Sequence, residues 1–488
     1  MAARGGVLDG VHEEIGRREE ESLDAVRAWL RVPSFSDTGE GIETCAAYTR
    51  DLLSGIAADA AVVPTAGHPV VVGTVPSADP HAPTLLVYGL YDVTPTIAAE
   101  WTVDPFEAPI VDAKDIGLLP HLGRVLVGRG ANNHKGPVLA AILAVKALLD
   151  AGASPPANLV FVIEGEEEVG SPSLPLFLEG RQDLLGAVDG VWLPCMQQNS
   201  SGVMTLRRAY KGSLWTELSC VGGRDGAGGP RDGRHLWAGH SAWMDAPMMR
   251  LVRALASLFD DRQRVTVDGV AERVRPPVPE DAPEVARLAK AFDANPQWER
   301  NMLANLNATG FMGGQRLSAH LAHYMLGTTL NIQGIVGGYQ GPRYYTMMPG
   351  QARAKLDFRF PPGIEPEELA ELVQAHLDRR GYADVRVADA RGYPGSAGVP
   401  EDRDTLLRAA QDTARSHGVP VDVWPIANNC CPAALLTGLG REVPFSVAGA
   451  GHGDRAHAPD EYITVGSVRA LMDWTVDFIG AWARTFNA

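Results

Sequence analysis

Three consecutive carboxylates, Glu166, Glu167 and Glu168, follow the apolar run NLVFVI in the stretch VIEGEEEVGS. Adjacent acids repel one another, so a fold that gathers them at a strand end offsets the charge with a metal ion, an arginine or a bound proton. Alone, an acidic run is a solvated turn. Its company makes chemistry the better expectation: YGLYDV, VGRGANNHKGP and RAHAPDEY bring Asp92, Asn133, His134 and His457 into short stretches punctuated by glycine or proline. Without a cation, Glu167 and Glu168 cannot both stay ionised, and one then holds a proton suited to transfer near neutral pH.

The elements that must position these groups read as an α/β sheet. VVVGTVP, PTLLVYGL, NLVFVIEG and DGVWLP are short, β-branched apolar runs, with a helical pattern over 136–149 between the second and third. Leu90, Glu167 and Cys195 fall at the carboxyl ends of such strands, where ligands of open sheets sit, so one pocket gathers all three. Apolar spacing predicts a helix over 14–30, ended by RVPSFSD. From about Gly212 the texture changes to the strand SLWTELSCV, a helix over 247–259, a polar proline-bearing segment, the strand ARAKLDFRF, the helix EELAELVQAHLDRR and the strand DVRVA, an α+β layer. The α/β character resumes after about Ala390 and closes with a helix over 465–486. The expected division is a discontinuous catalytic domain, 1–212 with 390–488, and an inserted lid or dimerisation domain, 213–389.

Composition narrows the partners. Among 488 residues, 43 basic and 59 acidic side chains give a net charge of −16, which argues against nucleic-acid or anionic-membrane binding and for small-molecule chemistry. Hydrophobic residues at 45% and charged residues at 21% suit a large globular core. The longest apolar run, VLAAILAVKALL, is interrupted by Lys146 and too short to span a bilayer. The first residues carry no continuous apolar stretch, and the five cysteines have no scaffold spacing. A cytoplasmic protein with free thiols is expected.

With these motifs in order, the chain resembles the di-zinc metallopeptidase family of carnosinases, aminoacylases and glutamate carboxypeptidases, its dipeptidase branch above all. The family motifs read YGHYDV, GRGxxDDKG and EGxEExGS, with a further Asp and a late His. The resemblance implies an α/β mixed-sheet, zinc-peptidase-like catalytic domain with an inserted α+β lid, and a homodimer formed through that lid. By the same resemblance Glu167 is the general base, and Glu168 and His457 match ligands of the first zinc. Arg359 matches the arginine that holds a substrate carboxylate, His235 the lid histidine that polarises the substrate carbonyl across the dimer, with His240 its rival. Asn331 and Cys430 match positions near the substrate, and the glycines around Gly451 allow a close backbone approach to it.

Three positions depart from the pattern. Leu90 stands where the family has a His ligand, Asn133 where it has the bridging Asp, and Cys195 where it has the further Asp. Leucine has no lone pair, and a neutral amide is a poor bridge between two dications. Metal-independent acid and base chemistry is therefore expected, with no cofactor, on a small amino-acid-like, dipeptide or amide substrate bearing a carboxylate. Glu167, Glu168, Asp92, His134 and His235 are the catalytic candidates; Arg359, Asn331, Cys430 and Gly451 bind substrate. Rearrangement, cyclisation, acyl transfer and amide formation all fit. Two alternatives stand beside this reading: a hydrolase with a single zinc on Glu168, His457 and Cys195, and a non-catalytic amino-acid-binding homologue. Asp92, His134 and Cys195 also compose a possible acid, base and thiol set.

Overall fold

The computed structural model describes residues 2–225, 228–276, 279–428, 431–438 and 442–487. Its central sheet has six strands in the order Ala61–Val63, Val70–Val75, Asn158–Glu164, Thr84–Leu90, Gly190–Pro194 and Phe445–Ala448. The last four run parallel, and Val70–Val75 runs antiparallel to both of its neighbours, giving a mixed sheet. Strand Asn158–Glu164 is buried at every position after the first, the pattern of a strand covered on both faces. One cover is the helix Lys135–Asp150, whose residues are buried almost all round, with the C-terminal helix Ser467–Phe486 packed against it.

The second sheet is wholly antiparallel, in the order Thr329–Gly337, Gln351–Phe360, Gly212–Val221, Val385–Tyr393. Along Gln351–Phe360 burial alternates strictly in its first half: Ala352, Ala354, Leu356, Phe358 and Phe360 face the helices Pro247–Ala256 and Pro366–Arg379. The intervening Arg353, Lys355, Asp357 and Arg359 face the other way, as a two-residue period requires.

Three elements differ from the sequence expectation. The opening helix is two helices, Ala2–Arg17 and Glu19–Leu30, separated at Arg18. The proline-bearing polar segment is largely helical, with Asp281–Ala294 and Pro296–Asn305; Pro296 opens the second helix, where a missing N–H costs nothing. The strand expected at DVRVA runs on to Tyr393, and that extension reaches the acidic turn.

Candidate functional site

The acidic turn hangs from Asp92. This buried side chain lies two residues beyond the strand end at Leu90 and accepts the backbone N–H groups of Glu167 at 3.3 Å and Glu168 at 3.0 Å. Burial lifts the Asp92 carboxyl to about 7, aided by the charge of Glu168 and opposed by those amides and by Ser36. The buried Lys135 ammonium, which donates to the Val32 carbonyl at 2.6 Å, contributes an opposite charge nearby.

Glu167 is surrounded by like charge. Burial first, then repulsion from Glu168, Asp92 and Glu164, pushes its carboxyl well above the ordinary carboxylate range, while a 3.0 Å hydrogen bond from the Tyr393 hydroxyl works against that rise. Glu164, beneath it, is lifted to about 8 by burial and receives hydrogen bonds from Tyr88 and Ser171. Glu166 has a different task. Its two oxygens accept the amides of His68 and Ser173, which fixes the turn onto a neighbouring loop.

Asn133 occupies the space between Glu168 and His457. Its amide nitrogen donates to Glu168 Oε1 at 2.5 Å and lies 2.9 Å from His457 Nε2, while His457 Nε2 is itself 3.2 Å from Glu168 Oε2. An NH2 group carries two protons, one for the carboxylate and one for the lone pair of a neutral imidazole. The charge of Glu168 raises the His457 pKa, so the protonated ring donates to Glu168 and the neutral ring accepts from Asn133. Asn133 is held there by Glu461, fully buried, which accepts the Asn132 and Asn133 amides at 2.8 Å through one oxygen. Its other oxygen takes Arg129 at 2.7 Å and the Gly130 amide at 3.2 Å.

The donor set here is Glu168 and His457 around a neutral amide. Asn133 presents that amide, not a bridging carboxylate, where Glu168 and His457 converge. Leu90 is buried apolar surface. Cys195, proposed as a third ligand, turns elsewhere: its sulfur accepts from Gln197 Nε2 at 2.8 Å, Gln197 is held by Arg207, and burial raises the thiol pKa, which disfavours the thiolate that zinc requires. Among the described residues no three His, Cys, Asp or Glu side chains converge as a metal site.

Other sequence candidates scatter. His134, whose peptide bond to Asn133 is cis, is dropped to about 4 by burial, and its buried Nδ1 has no hydrogen-bond partner among the described residues. It is a neutral imidazole at the edge of the acidic group, and the acid, base and thiol set is not assembled, because Cys195 bonds to Gln197. His235 accepts the Gly350 amide at 3.2 Å within the lid, and no hydrogen bond joins it to the acidic pair. His240 stacks edge-on between Trp237 and Trp243. Gly451 has a φ of 104°, a Cβ there would come within 2.9 Å of Ser467, and its amide donates to Gln198 Oε1 at 2.6 Å. Cys430 lies outside the described residues.

The lid meets the turn through residues that sequence reasoning did not single out. Tyr393 packs edge-on against Trp215 at 5.7 Å, and Gly170, just past Glu168, lies so close to Trp215 that a Cβ there would come within 2.8 Å of the ring. Arg359 stacks over the far side of this contact, 5.6 Å from the Trp215 ring. Its Nε and Nη2 grip Asp357 at 2.7 and 2.9 Å. The i, i+2 spacing of Asp357 and Arg359 on one strand was the available signal for this pair.

Comparison with known proteins agrees with this architecture. Residues 86–481 match the family model described as peptidase family M20/M25/M40. The chain is 26% identical over 459 residues to the Beta-Ala-His dipeptidase of Mus musculus, covering 86% of this chain and 85% of that one. It is 28% identical over 308 residues to the Cys-Gly metallodipeptidase DUG1 of Saccharomyces cerevisiae, covering 62% and 58%. An M20 family metallo-carboxypeptidase from Sulfolobus solfataricus superposes with a TM-score of 0.80 at 26% identity, over 95% of this chain and 99% of that one. Human carnosine dipeptidase 1 shares the fold, with a TM-score of 0.79 at 23% identity over 98% and 99%.

Proposed function

Because the chain belongs to peptidase family M20/M25/M40, we propose that it is a peptidase-like enzyme acting on a small dipeptide-like or amide substrate, with metal-independent proton transfer in place of zinc hydrolysis. The observation that carries this reading is Asn133 between Glu168 and His457, a neutral amide in place of a carboxylate that could bridge two cations. Glu167, its pKa raised, holds a proton at neutral pH that it can deliver to a leaving nitrogen or oxygen and later recover from an incoming nucleophile. Tyr393 orients that carboxyl, and the Glu168 and His457 pair exchanges a second proton beside it. Acyl transfer or amide formation suits such a site better than hydrolysis by unassisted water, for which a metal would normally supply the acidified nucleophile.

The names of the relatives favour a second reading, a metal-dependent dipeptidase. Metal analysis of chelator-free protein, together with turnover of a dipeptide and amine acceptor panel, separates the two. The expectation is far less than one zinc per chain, activity that survives EDTA, and a loss of about 10²–10⁴-fold in kcat for Glu167→Gln. Stoichiometric zinc with EDTA-sensitive hydrolysis would sink the metal-independent reading. A homodimer through the lid is part of the proposal. It is supported by the edge strand Thr329–Gly337, which exposes Ile335 and Val336 beside exposed Tyr344, Tyr345 and Trp237, and sedimentation velocity reads it directly.

A further inference from the structure

Arg359 and Asp357 project from the same face of one strand, the face that meets the Glu167 turn through Trp215 and Tyr393. Nη2 donates to Asp357 Oδ2 at 2.9 Å and Nε lies 2.7 Å from Oδ1, which makes no aligned hydrogen bond among the described residues, so a carboxylate of the protein itself sits as an ion pair on the guanidinium edge that could grip a substrate carboxylate. Asp357 is largely buried, its side chain 13% exposed, so displacing it from Arg359 would strand a desolvated anion. A substrate carboxylate entering beside this pair meets an arginine already neutralised and an aspartate of like charge. Beyond lie Glu167 and Glu168.

Across the strand pair, Asn331 is in direct register with Asp357. Residues opposed in this way point to the same side of a sheet, so a neutral amide, with donors and an acceptor, adjoins the ion pair. The strand end thus offers dipoles and a closed ion pair where an anion would need net positive charge.

We propose that Asp357 is a specificity-determining residue that locks Arg359, so that the site takes substrates whose far end is a neutral amide or ester and rejects those ending in a free carboxylate. The earlier expectation of a carboxylate-bearing substrate is thereby revised for this chain. The inference rests on the acidic turn being the reaction site, and on nothing about metal content.

The test is a peptide-observed NMR titration of EDTA-treated protein at pH 7 with glycylglycine and with glycylglycinamide. The unsubstituted protein is expected to bind the amide at least tenfold more tightly. Asp357→Asn and Asp357→Ser, which release the guanidinium, are expected to tighten binding of the acid by tenfold or more while changing binding of the amide little. Equal affinities in the unsubstituted protein, tighter binding of the acid, absence of binding by either peptide, or a preference unchanged in both variants would each overturn the proposal. The comparison in unsubstituted protein needs no variant to fold. If zinc is found at stoichiometry while the amide preference and its reversal hold, metal independence fails and the role of Asp357 stands.

Discussion

Glu461, which holds the loop bearing Asn133, and Glu167, which neighbours the Glu168 that Asn133 meets, live in opposite company. Glu461 pairs with Arg129 and accepts three backbone N–H groups, so every one of these contacts ties it to the loop. Glu167 has Glu168, Asp92 and Glu164 around it and a single tyrosine hydroxyl in its favour, so protonation is what makes it fit. Two retained glutamates can therefore serve unrelated ends. One is a clamp, and the other a proton reservoir.

That contrast can be broken in order of effect. Glu461→Ala strands a buried guanidinium and frees the loop that carries Asn133, and should cost about 3–5 kcal/mol in urea denaturation; a cost near zero would show that the clamp is dispensable. Glu164 belongs with Glu167. Its folded pKa of about 8 lies above the ordinary carboxylate value, so its stabilising proton is fully present at acid pH and lost as pH rises through 8. Unfolding free energy should fall between the ordinary value of 4.5 and about 8 with a slope on the order of 1.4 kcal/mol per pH unit, levelling off above 8, and Glu164→Gln should flatten that slope. An unchanged slope would place the proton elsewhere. Smallest is Tyr393→Phe, which removes the one side-chain hydrogen bond favouring ionised Glu167 among the described residues. The Glu167 limb of the pH–rate profile should move up by somewhat under one unit, about 1 kcal/mol, and a downward move would mean the hydroxyl serves the protonated form.

Much of this was legible before any coordinates. The buried runs placed the parallel strands, because continuous β-branched apolar segments have few other stable uses, and the motifs led directly to Glu167, Glu168, Asn133 and His457. What escaped was mostly cross-chain. Glu461 lay in view within RAHAPDEY, but its role depends on amides some 330 positions earlier, which no local pattern announces. Tyr393 was hidden by a strand end, the feature sequence periodicity locates least well. Asp357 was the exception, since alternate residues of a strand share a face and the pair could have been read from KLDFRF. Cys195 lies just past its strand end, and its hydrogen bond from Gln197 was not legible, because strand position does not determine which way a thiol turns beyond it.

The clamp around Asn133 has a consequence for the order of events during synthesis. Glu461 and His457 reach Asn133 across more than three hundred residues, so a growing chain can complete its parallel strands through Pro194 and its lid sheet long before the amide is pinned between Glu168 and His457. Closing so long a loop is entropically deferred until the final segment is available. The acidic turn therefore forms before its partners arrive, and the segment from His457 to Glu461 is the part that orders Asn133 beside it.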